Sequence, residues 1–183
     1  MLNGHPTLTY ARPFFPNVAE IACVHCKEAE QLPNDLEEFV GGNDNGFIYV
    51  SMGSSVKAAN MPNKLRRIML EAFSYLPYKV LWKWERGLLS MFETVYHGCP
   101  TVTIPVFCDH DANAAKAVLD GFAIKLNLQT LSSRSLAGAI EQIIKNDSYK
   151  AQARSHKLSK HLTNAFFRIL QTTITQRSER FTS

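Results

Sequence analysis

The stretch KVLWKWERGLLSMFETVYHGCPTVTIPVF, residues 79–107, decides the fold. It opens on KVLWKW, a short apolar, β-rich run of the kind that forms a buried strand. LLSMFETVYHG follows, apolar at helical spacing and closed by Gly98. TVTIPVF then returns to strand character, with Pro105 near its carboxyl end. Strand, helix, strand is the grammar of a parallel sheet. Between the first strand and the helix stand only Glu85, Arg86 and Gly87. A glycine at that handover suits a phosphate, because unpaired N–H groups point out of a helix start. Glu85 opposes that use: two unit charges 4 Å apart repel by about 1 kcal/mol in water. The turn therefore has three readings: a nucleotide site, an ordinary strand-to-helix connection, or a junction where something was removed.

The same alternation extends in both directions. Upstream, FIYVSMGSS reads as a buried strand ending in a tight loop at Gly53-Ser54-Ser55. NMPNKLRRIMLEAFSYL reads as a helix, with Asn60 as its cap, Pro62 in its first turn, and Met61, Leu65, Ile68, Met69, Ala72, Phe73 and Leu76 on one face. Downstream come a helix in DANAAKAVLDG ended by Gly121, a strand in FAIKLNL, and a helix in SSRSLAGAIEQIIKN that turns Leu136, Ile140, Ile143 and Ile144 inward. A fifth helix is expected from Tyr149 towards Leu170, followed by a frayed tail. The resulting expectation is an α/β fold, a Rossmann-like parallel sheet with helices on both faces. Residues 1–45 read as a linker segment leading in, with Pro6, Pro13, Pro16 and Pro33 spaced through it and a short acidic helix in LPNDLEEFVGG. Residues 46–160 form the domain, and 161–183 the divergent tail.

Composition narrows the function. At 183 residues the chain can bury roughly 70% of the surface it exposes unfolded. Its net charge of +4 is spread in small clusters, at Lys64, Arg66 and Arg67 and at Arg154, Lys157 and Lys160, without the aromatic-lined basic stripe that nucleic acid requires. The opening MLNGHPTLTYARPFFP has neither the basic nor the apolar region of a signal peptide, and no window reaches a membrane span. Cys23 and Cys26 make a single CxxC with no second pair at zinc spacing, so no metal ligands are assigned. Cys99 and Cys108 flank the TVTIPVF strand and read as small core residues.

In open α/β sheets, ligands sit beyond the carboxyl ends of the strands. Three loops qualify: residues 52–55, 84–87 and 105–111. The first offers backbone N–H groups and the hydroxyls of Ser54 and Ser55 to a phosphate, and reads equally as a plain turn. Glu93 could accept hydrogen bonds from a ribose diol or stand as a surface glutamate. Asp109-His110-Asp111 could present a carboxylate and an imidazole to sugar hydroxyls, with Asp111 as the helix cap, or could be capping alone.

These residues carry a resemblance. GLLSMFETVYHGCPTVTIPVFCDHDANAA resembles the second half of the signature of the UDP-glycosyltransferases, the family that includes the glucuronosyltransferases, with Gly87, Ser90, Glu93, Gly98, Pro100, Pro105, Asp109, Asn113 and Ala114 in register. NGHPTLTYARPFFPNVAEIACVH, GFIYVSMGSSVKAANMP and LEAFSYLPYKVLWKWE resemble the family's linker and the opening of its carboxyl-terminal domain, most like the insect members. The resemblance covers residues 1 to about 160. It implies the carboxyl-terminal half of a GT-B glycosyltransferase, one that moves a hexose or glucuronic acid from UDP-sugar to a small lipophilic acceptor. UDP-sugar enters as donor substrate, and no cofactor is implied. By position, Ser54 and Gly87 would lie at the phosphates, with Ser90 beside them at the start of the donor helix. Glu93 would meet the ribose hydroxyls, and Asp109 and His110 the sugar. The family often has Gln at the position of His110. Membership implies the endoplasmic reticulum membrane. The alternative reading is a non-catalytic nucleotide-sugar-binding fragment, or a partner that dimerises with a full-length relative.

The resemblance also breaks. The family's acceptor domain, with its catalytic histidine–aspartate pair, has no counterpart in these residues, so no catalytic residue is assigned. Between the WKWE-like strand and the GLLS-like helix the family has a strand, a Trp-Pro-Gln loop with its helix, and a further strand ending in His-Gly-Gly. Glu85-Arg86-Gly87 stands there instead. Trp82 and Trp84 belong to the preceding strand and do not replace the stacking tryptophan. Removing strand, helix and strand preserves the alternation, so the expectation is a thinner sheet. The tail HLTNAFFRILQTTITQRSERFTS does not resemble the family's membrane-anchored end.

Overall fold

The computed structural model describes residues 13–18, 26–41, 46–51, 61–83, 90–106 and 110–156. Their order is α1 (Asn34–Gly41), β1 (Phe47–Ser51), α2 (Asn63–Ser74), β2 (Lys79–Lys83), α3 (Ser90–His97), β3 (Thr101–Thr103), α4 (His110–Leu119), β4 (Ala123–Lys125), α5 (Ser133–Lys145) and α6 (Asp147–Ser155). The strand–helix alternation is as expected. A 3₁₀ turn at Leu128–Thr130, capped by the Asn127 side chain, was not anticipated.

Helix boundaries follow local chemistry. α3 ends at Gly98, whose φ of 66° is left-handed. The N–H groups of Gly98 and Cys99 return to the carbonyls of Val95 and Thr94, and Gly121 and Phe122 close α4 in the same way. α5 starts on a reciprocal cap: Ser132 Oγ accepts from Ser135 N, and Ser135 Oγ accepts from Ser132 N. Three boundary expectations and one burial expectation shift. α2 is capped by Pro62 with no side-chain cap bond, and Asn60 lies outside the described residues. α4 begins at His110, so Asp111 falls inside the first turn and is not the cap. α6 begins at Asp147, where the Asn146 side chain accepts from Ser148 N, two residues before the expected Tyr149. Ile144 is 39% exposed, because the inward stripe of α5 runs through Leu136, Ala137, Ala139, Ile140 and Ile143.

Among the described residues the strand pairing is parallel and forms two ribbons, β1–β2 and β3–β4, where one thinner sheet was expected. The pleat assigns their faces, since successive side chains point to opposite sides. Ile48 and Val50 of β1, Trp82 of β2 and Val102 of β3 pack into one cluster with Met69, Ala72 and Leu76 of α2 and Leu136, Ala137 and Ile140 of α5. α2 and α5 thus form a common floor beneath both ribbons. Trp82 meets Phe73 edge-on, with ring centroids 5.7 Å apart, which fixes it as a core side chain. On the opposite face, Ala123 of β4 joins Val95 and Tyr96 of α3, Ala117 of α4, Phe122 and Ala153 of α6, and Cys26 packs against that group.

Helices therefore cover both faces of β3–β4. On the second face of β1, Phe47 and Tyr49 are 41% and 52% exposed. α1 reaches that side at Lys79, whose Nζ donates to Phe39 O at 2.7 Å and sits 5.1 Å from the Phe39 ring centre. Cys99, expected in the core, is exposed, since it forms the Schellman turn that leads into β3.

Candidate functional site

Topology fixes where a ligand site can form. α2 follows β1 and α4 follows β3, so both begin at the carboxyl ends of their strands. α3 precedes β3 and runs back to that strand's amino end, which leaves its own start at the carboxyl edge too. The starts of α3 and α4 thus lie towards the carboxyl end of β3 and that of α2 towards the carboxyl end of β1, each bringing the positive end of its dipole. Such helix starts favour an anionic ligand.

Among the expected ligand residues, Ser90 opens α3 and Glu93 stands in its first turn with an exposed side chain. Val95 and Tyr96 on the same helix are buried, so the helix is held by one face while Glu93 remains open to solvent. His110 is the first residue of α4 and is partly buried. Ser54, Gly87 and Asp109 lie outside the described residues, as does Trp84. The structure thus places Glu93 and His110 in the first turns of consecutive helices, α3 and α4.

One contact at this edge escaped the sequence reading. Asp111 Oδ1 accepts from Lys125 Nζ at 2.7 Å, which ties the first turn of α4 to the end of β4. The two residues are far apart in sequence and only strand register brings them together, so no local signal exists for it. Both side chains keep solvent contact, and such a pair contributes about 0–1 kcal/mol. Its effect here is positional: Lys125 occupies Asp111 and leaves His110 as the polar side chain at the very start of α4.

Displaced proton affinities occur elsewhere. Tyr75 is held above the ordinary phenol range by its hydrogen bond to the Glu71 carboxylate, and Lys145 above the ordinary amine range by its hydrogen bond to Glu141. Both are surface groups of helix faces away from the carboxyl edge. A shallow hollow of about 410 Å³ lies on α2, lined by Asn63, Arg66, Arg67 and Leu70. Its two guanidinium groups add positive potential near the start of that helix. Among the described residues there is no cluster of three metal-ligating side chains, and no helix long and apolar enough to cross a membrane.

The family profile described as UDP-glucoronosyl and UDP-glucosyl transferase matches this chain in two segments, residues 1–88 and 85–162. The two segments overlap at residues 85–88, which include Glu85, Arg86 and Gly87. UDP-glucuronosyltransferase 2B17 of Mus musculus is 31% identical over 188 positions, covering 84% of this chain and 35% of the relative. UDP-glucuronosyltransferase 2B17 of Homo sapiens is 30% identical over 176 positions, covering 77% of this chain and 33% of the relative. The chain thus spans about a third of the length of these curated relatives. The alignment lengths also give the size of a deficit. Taking 84% of 183 residues gives about 154, so the 188 positions of the mouse alignment include about 34 with no counterpart here. In fold, the chain is similar to the spinosyn rhamnosyltransferase SpnG complexed with thymidine diphosphate, with a TM-score of 0.60 at 16% identity, over 82% of this chain and 50% of that one.

Proposed function

The chain belongs to the UDP-glucuronosyl and UDP-glucosyl transferase family, and from that premise we propose that it carries the donor side of the family reaction, holding UDP-sugar at the carboxyl edge of its strands. The reaction class is transfer of a hexose or glucuronic acid from UDP-sugar to a small lipophilic acceptor. The observation that carries this reading is Glu93, exposed in the first turn of α3 while Val95 and Tyr96 hold the same helix, with His110 at the first position of the following helix, α4. In the proposed complex the Glu93 carboxylate accepts from the ribose diol. The start of α3 at Ser90, with Ser54 and Gly87, faces the pyrophosphate, and Asp109 and His110 face the sugar. The thymidine diphosphate bound to the structural neighbour fits a nucleoside diphosphate ligand for this fold.

Acceptor binding and proton removal from the acceptor hydroxyl fall, by the family's pattern, to residues outside the matched span. A second reading, a non-catalytic donor-binding chain that partners a full-length relative, is favoured by the roughly 34 positions of the relatives that have no counterpart within the aligned span. Calorimetry with UDP and UDP-glucose tests the donor site. Binding at millimolar or tighter affinity is expected, weakened roughly 10- to 100-fold in Glu93→Ala, as for loss of hydrogen bonds to a charged group. An unchanged affinity in that variant removes Glu93 from the site. Turnover of a phenolic acceptor by the purified chain overturns the non-catalytic reading.

A further inference from the structure

Parallel sheets of the doubly wound type have the strand order 3-2-1-4-5-6. β1 and β2 pair and supply places one and two. The family match breaks at residues 85–88, and about 34 positions of the mouse relative have no counterpart here. That length is one βαβ unit, which needs roughly 30 or more residues. Two strands are therefore absent at the break, and β3 and β4 occupy places five and six. What remains is 2-1, a gap, then 5-6. This is the observed pairing: β2 with β1, β4 with β3, and none between β1 and β3 among the described residues. The strand of place three belonged at the outer edge, beyond β2. The strand of place four belonged between β1 and β3.

We propose that the interval between β1 and β3 is a binding slot for one extended polypeptide strand, and that its occupant is the place-four strand of a family relative, supplied by a second polypeptide. Three observations define the slot. Residues 47–50 and Thr101–Thr103 each pair on one side only among the described residues, so both present ladder groups towards the interval. The floor beneath it is continuous, because Val50 and Val102 from opposite sides pack on the same α2–α5 cluster. The roof over the β1 side is open, with Phe47 and Tyr49 exposed. A strand that fits presents apolar, β-branched side chains alternately to the floor and to the Phe47–Tyr49 side, and pairs with β1 and β3 at once. The occupant is inferred from the roughly 34 positions of the mouse relative that have no counterpart here, taken with the family match that splits at residues 85–88. The slot rests on family membership and strand order, and not on the donor site, so loss of UDP binding leaves it untouched.

The test uses the full chain and a synthetic peptide of the mouse relative's positions that face the 84–87 junction. Amide hydrogen exchange is followed with and without peptide, and size is checked by gel filtration. Binding is expected to slow exchange at least tenfold at residues 47–50 and at Thr101–Thr103 together. A peptide with proline at the centre of its strand, which lacks the ladder N–H and cannot sit in a central strand, is expected to do neither. Protection on one side only, or equal protection by the proline or a shuffled peptide, overturns the proposal. So does a free chain that is already dimeric with both edges protected, since its occupant is then a second copy of itself.

Discussion

Gly98 shows how much a single residue settles. Its left-handed φ closes α3, and a Cβ built there would lie 3.3 Å from the backbone of Arg154 on α6. Any side chain meets both conformational strain and a close neighbour that is main chain. Gly98→Ala is expected to cost about 1–2 kcal/mol from the backbone alone, and more if α6 is displaced. Urea denaturation measures it, and a loss below about 0.5 kcal/mol, the range of neutral surface changes, shows that α6 does not press on this turn. Glu93 is the opposite case: exposed on a helix held by Val95 and Tyr96, it is free to serve a ligand without cost to the fold. Glu93→Ala is accordingly expected to leave the denaturation midpoint unchanged while it weakens UDP binding.

At the scale of the element, α5 bears the most structure. It starts on the Ser132–Ser135 cap and buries Leu136, Ala137, Ala139, Ile140 and Ile143. Ser132→Ala is expected to lower stability by about 1 kcal/mol. Ser135→Ala is expected to cost less, because the backbone N–H of Ser132 that it leaves is solvent-accessible. Equal effects, read from paired urea curves, indicate a cap that works only as a closed pair. β1 is the weakest element. One face rests on α2 and α5, the other exposes Phe47 and Tyr49, and one edge lies on the interval towards β3. A parallel strand is normally buried on both faces, so β1 is where concentration-dependent association should begin.

For the whole molecule, the shared floor matters more than the sheet. Among the described residues the ribbons do not pair with each other, and both pack on α2 and α5. Ile140→Ala, which empties the centre of that floor, is expected to cost about 2–5 kcal/mol and to accelerate amide exchange in β1–β2 and β3–β4 alike. Faster exchange in β3–β4 alone demonstrates two independently stable halves, and removes the floor as the link between them.

The amino-acid sequence by itself determined the order of elements, the helix ends at Gly98 and Gly121, the apolar stripes of α2 and α5, and the family. Each depends on a pattern that is local or runs along the chain: periodicity, caps, and residues in register. It also showed a strand–helix–strand unit missing at Glu85-Arg86-Gly87, yet pointed to a thinner sheet. Only the tertiary structure showed two ribbons, β1–β2 and β3–β4, with no pairing between them among the described residues, because strands adjacent in space are not adjacent in sequence. For the same reason the Asp111–Lys125 pair and the exposure of Cys99 were not legible: strand register sets the first, and the path of the α3–β3 turn sets the second.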